Sequence, residues 1–354
     1  MLRRDLHPLA WWAWAIGLAV YASSLTNPWL LLLVIAVAGL VVAARRTDQP
    51  WSRSFKLYVW MGVAIVLVRI LFRILLGGID GHVLIDLPQI PLPGWVLGIR
   101  LLGPLTREAL LAGLYDGLRL AAIVIAVGAA NSLANPKRLL RSIPPALYEI
   151  GTALVVAVTV LPQLADSVQR VRRAQQLRAG DTRRVGRLRR FLVPVLEDAL
   201  ERSLALAAGM DTRGYGRAGG ATRRQRRFTG TLMILALLGL CAGTYGLLDP
   251  TAPRWTAVPM VLVGLVLAAA GLLAAGRRVE RTVYRPDPWR WPETTVALTG
   301  LAVAVVGIWV GHHQVPIAHP DVTGPPQVSL VALAGGLLGL LPALTTPEPA
   351  AVPA

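Results

Sequence analysis

Eight apolar runs, each about as long as a bilayer is thick, constrain this chain more than any other feature. A spanning helix needs about 20 mostly apolar residues. The runs are Leu9–Thr26, Pro28–Ala44, Leu57–Leu76, Gly117–Leu133, Thr229–Leu248, Ala257–Ala275, Thr294–Gly311 and Val328–Leu344. Only helices and closed barrels satisfy every backbone polar group in hydrocarbon, and runs of this length specify helices. Arg3 and Arg4 precede the first run, as in a signal peptide, but a second run one turn later makes an uncleaved hairpin the expectation. The fold class read here is all-α, a polytopic membrane helix bundle with a helical domain outside the membrane.

Charge sets the expected orientation. Arg3 and Arg4 come before the first run, Arg45, Arg46, Arg53 and Lys56 follow the second, and Lys137, Arg138 and Arg141 follow the fourth. Arg277, Arg278, Arg281, Arg285 and Arg290 follow the sixth. Every second connection is basic, which places those loops and both termini in the cytoplasm of a plasma-membrane protein. The Pro- and Gly-rich loop Gly77–Glu108 and the loop His312–Gln327 then face outside. Gly151–Leu164 is apolar but bounded by Glu149 and Asp166 and short for a span. It is read as a helix at or below the cytoplasmic interface, giving a large insertion, about 135–228, between spans four and five.

That insertion holds much of the charge. The chain carries +17 with only 16% charged residues. Sixteen arginines lie between Arg170 and Arg227, and with five acids the local balance is +11. Asn135-Pro136 is a helix start with proline at its first position, and Pro144-Pro145 should break that helix. A helix from about Ala146 runs past Pro162, which should kink it, to a stop at Gly180. A second, amphipathic helix spans Phe191–Met210, with Leu192, Val195, Leu196, Ala199, Leu200, Leu206 and Ala207 on one face, and stops at Gly214 or Gly216. Both helices end in small residues, an arginine and a glycine: Gln175-Gln176-Leu177-Arg178-Ala179-Gly180 and Gly209-Met210-Asp211-Thr212-Arg213-Gly214-Tyr215.

This pair resembles the two coupling motifs of the transmembrane T component of energy-coupling factor (ECF) transporters, the EcfT/CbiQ family. Leu6-His7-Pro8-Leu9 with Asn27-Pro28, the segment Asn135-Pro136-Lys137-Arg138-Leu139-Leu140, Leu161-Pro162-Gln163-Leu164 and Arg172-Arg173-Ala174-Gln175 are similar to further family patterns, in the same order. The likeness covers about residues 5–250. In the first motif Ala179 stands where the family has glycine, with Gly180 one later. The likeness implies about five spans. Three more follow, and no family role attaches to 257–354. The resulting division is 1–134, spans one to four; 135–228, coupling helices; 229–248, span five; and 249–354, a C-terminal extension.

The resemblance implies a non-catalytic energy-coupling subunit. Its partners would be two ABC ATPase subunits and a substrate-binding S component that takes up a vitamin or metal ion. ATP and Mg would bind at the ATPases, with no cofactor on this chain. Arg178, Ala179 and Gly180, and Arg213, Gly214 and Tyr215, would be the ATPase contacts, supported by Ala174, Gln175 and Met210. Arginine suits the role because its planar fork pairs bidentately with carboxylates and stays charged when buried. The only lysines, Lys56 and Lys137, follow Phe55 and Pro136, so neither sits in the Gly-Lys-Ser/Thr of a P-loop.

Other readings of the same residues are less specific. Most of the arginines, including Arg223, Arg224, Arg226 and Arg227, suit anionic lipid headgroups. Nucleic acid is not an expected partner, since aromatics suited to base stacking, Tyr215 and Phe228 among them, are few there. Arg69 and Arg73 are expected to snorkel at the end of span three, with Asp116 and Arg119 of span four as neighbours. His312, His313, His319 and Asp321 could form a metal cluster, but the proline-rich loop around them argues against it, and no metal site is assigned. The alternative class is an unrelated transporter or a membrane enzyme whose arginines bind lipid. A lipid-linked transferase needs grouped carboxylates, whereas Asp80 and Asp86 stand isolated.

Overall fold

The computed structural model describes residues 5–47, 54–76, 81–88, 102–142, 144–177, 184–215, 222–249, 254–277 and 287–347. Thirteen α-helices and one two-stranded sheet make up these residues. Seven of the described helices are long and apolar enough to cross a membrane. The protein is a multi-pass, all-α membrane protein. The chain divides into two compact units, Met1–Leu139 with Pro286–Ala354, and Leu140–Arg285. The stretch read as one extension, 249–354, is therefore split between them.

The first unit begins with α1 (Pro8–Ser23), α2 (Pro28–Arg45) and α3 (Phe55–Leu76). The helix starts are written in the chain. His7 Nδ1 accepts from Leu9 N at 3.3 Å and Asn27 Oδ1 from Trp29 N at 3.1 Å, each with proline at the next position. After α3, the strands β1 (Val83–Asp86) and β2 (Pro104–Thr106) pair antiparallel, with Val83 opposite Thr106. Thr106 then caps α4 (Arg107–Leu133), bonding to Ala109 N at 3.2 Å. The helix α5 (Pro136–Arg141) starts as its sequence specifies, with Asn135 Oδ1 accepting from Lys137 N at 3.0 Å and Arg138 N at 3.3 Å.

The C-terminal part of this unit holds α10 (Trp291–His313), α11 (Val315–Ala318), α12 (Leu330–Leu338) and α13 (Leu341–Thr345). They pack on the first hairpin: α1 against α10 and α4, and α12 against α2 and α10. A Cβ on Gly17 would collide with the backbone of Gly300, and one on Gly300 with the backbone of Trp14, so the two helices meet backbone to backbone. The polar groups of α1 and of the turn after it are answered from the far end of the chain. Trp14 Nε1 donates to Gly339 O at 3.0 Å and Tyr21 Oη to Ala332 O at 2.6 Å. Asn27, fully buried, gives its amide protons to Ile317 O at 2.9 Å and Gln327 O at 2.7 Å. Arg138 pairs with both carboxylate oxygens of Asp287, at 2.6 and 2.8 Å. Buried Glu293 accepts from His7 N at 3.4 Å and Arg290 N at 3.1 Å.

Two sequence expectations need correction here. Val328–Leu344 is not one span but α12 and α13, broken at Gly339-Leu340. Pro342 has no N–H to offer the carbonyl of Leu338, so the ladder cannot continue. The bonds Gly339 N to Gly336 O (3.1 Å) and Leu340 N to Leu337 O (2.9 Å) close the turn instead. Gly151–Leu164, read as too short to span, lies within a continuous 30-residue helix, α6 (Tyr148–Leu177). Its stretch Glu149–Ala174 meets the length and composition of a membrane span. Pro162 sits inside it, where a missing N–H removes one bond of a long ladder.

The second unit contains α6, α7 (Arg184–Thr212), α8 (Arg223–Leu248) and α9 (Arg254–Gly276). A 3-10 turn, Pro145–Leu147, leads into α6, as the Pro144-Pro145 pair demands. Thr222 and Gln225 form a reciprocal capping box at the start of α8. The hairpin α8–α9 and the pair α6–α7 are its main packing units.

Candidate functional site

The two long helices α6 and α7 are about 45 Å long at 1.5 Å per residue. Their contact is organised by one carboxylate. Asp198 of α7 accepts a short bond from the Ser167 hydroxyl of α6, and Ser167 is buried. The same carboxylate takes Arg202 Nε at 3.0 Å from its own helix and Arg170 Nη2 at 3.4 Å from α6. The Ser167 hydroxyl holds the Asp198 carboxyl below the usual carboxylate range; desolvation opposes it, and Arg202 and Arg170 add to the lowering. Asp198 thus faces α6.

The end of α7 is a complete Schellman turn. Gly214 has φ 77°, in the left-handed region that glycine enters without a Cβ clash. Tyr215 N donates to Met210 O at 3.1 Å and Gly214 N to Asp211 O at 2.9 Å, the 6→1 and 5→2 bonds of that motif. Of the two stops expected, the helix uses Gly214. Arg213 and Tyr215 are exposed at the tip, so the guanidinium stands at the capped end of the helix.

The other motif is only partly described. α6 runs to Leu177 and Ala174 is exposed on it, while Arg178, Ala179 and Gly180 lie outside the described residues. The structure thus gathers Met210, Arg213, Gly214 and Tyr215 into one turn. Along α7 the side chains of Leu192, Leu196, Leu200 and Leu204 recur every four residues, and all are exposed. Leu154 and Leu161 of α6 are exposed as well.

The remaining candidates have ordinary partners. Arg73 Nη2 pairs with Asp116 at 3.3 Å, one of the two neighbours expected for it. Arg119 instead donates to the carbonyl of Ser23. His312 Nδ1 and His313 Nδ1 donate to the carbonyls of Ile308 (2.8 Å) and Trp309 (3.1 Å), and His313 stacks on Trp309. His319 Nδ1 meets Thr26 Oγ1 at 3.2 Å, and Asp321 accepts from Thr323 Oγ1 at 2.8 Å. Burial, with Arg119 nearby, pushes the His319 pKa down. Among the described residues no group of three or more His, Cys, Asp or Glu is placed to hold a metal ion.

The model of the CbiQ family, described as cobalt transport protein, matches residues 2–224. An energy-coupling factor transporter transmembrane protein EcfT from Leuconostoc gelidum subsp. gasicomitatum is 27% identical over 220 residues, which cover 57% of this chain and 71% of the relative. Another, from Exiguobacterium sibiricum, is 32% identical over 104 residues, covering 26% of this chain and 40% of the relative. The family match takes in residues 174–180 and 210–215, and residues 225–354 lie beyond it.

Proposed function

Because the chain belongs to the CbiQ family of transport-protein membrane components, we propose that it is the energy-coupling subunit of an ECF-type importer. In this reading it binds two ABC ATPase subunits and a substrate-binding S component. The cargo is a vitamin or a metal ion held by the S component. ATP and Mg act at the ATPases, and this chain carries no catalytic group.

The observation that carries the reading is the end of α7, where a Schellman turn at Gly214 presents exposed Arg213 at the tip of a 29-residue helix. A helix end of this kind fits a groove on a partner, and the guanidinium can pair bidentately with an acid inside it. Arg178, Ala179 and Gly180, at the corresponding place after α6, serve the second ATPase, with Ala174 and Gln175 in the stretch of α6 that leads into it. Closure of the two ATPases on ATP moves the helix ends together. Because Asp198 and Ser167 join α6 to α7, that motion passes along both helices as a pair. The basic loops favour a cytoplasmic position for this coupling domain, and the arginines at the start of α8 rest on anionic lipid.

The test is co-purification from a membrane expressing the subunits together. Arg213→Glu with Arg178→Glu should leave the protein in the membrane and remove both ATPases. Arg224→Glu, beside the membrane, should retain them. ATPase recovery equal to wild type in the double variant would overturn the proposal.

A further inference from the structure

The helix α3 has one substantial packing partner, α4, and Gly62 is its only buried residue. Along its outer side runs an open groove of about 670 Å³. Its walls are Met61, Ile65, Val68 and Phe72 of α3 and Leu120 of α4, and its polar lining comes from Arg69 and Arg73. These two arginines differ. Arg73 is engaged by Asp116 at 3.3 Å, and its stem lies over Gly113, where a Cβ would approach Arg73 Cγ to 2.9 Å. Arg69 is exposed and forms no ion pair among the described residues. Two guanidiniums against one carboxylate leave a single positive charge at the groove.

The dimensions match one molecule. From Arg73 to Met61 the helix advances about 18 Å, a little more than half of a hydrocarbon core about 30 Å thick. The charged end lies within about 10 Å of the helix terminus at Leu76, where headgroups begin. Charge at one end and an apolar slot of about 10 Å beyond it complement an amphiphile with a single negative headgroup. We propose that this groove is a binding site for one anionic phospholipid, its phosphodiester on Arg69 with Arg73 beside it, and its acyl chain along Val68, Ile65 and Met61. The site is separate from the arginines near α8, which meet lipid as a diffuse charge. Arg69 is thereby a ligand contact rather than a side chain reaching for water.

Native mass spectrometry of the full-length protein in detergent tests this, with phosphatidylglycerol and phosphatidylcholine titrated separately. Wild type should retain one phosphatidylglycerol in preference to phosphatidylcholine. Arg69→Gln should weaken that retention about tenfold, the scale of one charge-assisted hydrogen bond, and Arg69→Lys should restore part of it. Val68→Trp, which fills the slot and keeps the charge, should also reduce retention. Arg224→Gln should leave the tight lipid in place. Equal retention of the two lipids by wild type would overturn the assignment. So would unchanged retention in Arg69→Gln, or a photo-crosslinker at Val68 that captures a membrane protein instead of lipid.

Discussion

Gly214 decides how Arg213 is presented. With φ 77° it holds a conformation that costs an L-residue about 1 kcal/mol. Gly214→Ala should fray the last turn of α7 and lower ATPase recovery several-fold, with membrane content unchanged. Gly214→Asn, which tolerates the left-handed region, should fall between the two. Equal recovery for all three would mean that the turn does not position Arg213. This residue was legible beforehand because glycine after a helical run is local information. Ser167 was not, since a serine in a polar helix face looks solvated until its partner helix is in place. Its short contact to Asp198 depends on the register between α6 and α7, which no local pattern states.

At the scale of elements, α6 and α7 form the working pair, and Asp198 is where they meet. Ser167 and the two arginines lower its pKa, so the native pair favours the charged form. Such a group lends stability above its unfolded pKa and loses it as pH falls through the lowered native value. Hydrogen-exchange protection of α6 and α7 should thus hold from neutral pH to about pH 5 and decline below the ordinary carboxylate range near 4. Asp198→Asn should remove this acid step, and Asp198→Ala should separate the helices at every pH, read as a longer distance between spin labels. A step that survives in Asp198→Asn would assign it to another carboxylate. Runs of apolar residues identified most elements, because hydrocarbon tolerates little else. Val328–Leu344 misled because its composition is apolar throughout while Gly339 and Pro342 interrupt the bonding.

The molecule as a whole joins its two ends. The segment beyond the family match supplies α10 to α13, whose carbonyls receive Trp14, Tyr21 and Asn27. Replacing Asn27 by Leu removes two part-buried hydrogen bonds, at about 0.5–1.5 kcal/mol each, and a lower thermal midpoint in detergent should follow. Tyr21→Phe, removing one bond, should cost about 1 kcal/mol. Midpoints unchanged in both would show that the C-terminal helices do not anchor the hairpin. The partnership was illegible in the sequence because Gly17 and Gly300 are ordinary small residues in separate spans. Only their backbone contact makes them a pair.

That closure has a consequence for how the protein is made. Asn27 finds its acceptor on Gln327, 300 residues later. At about 5–20 residues per second of translation, the first hairpin sits in the bilayer for roughly 15–60 s before its partners leave the ribosome. Throughout that interval a tryptophan, a tyrosine and an asparagine lack the carbonyls they finally meet. The newborn hairpin therefore waits for α10 to α13 before these three side chains reach the carbonyls they meet in the folded protein.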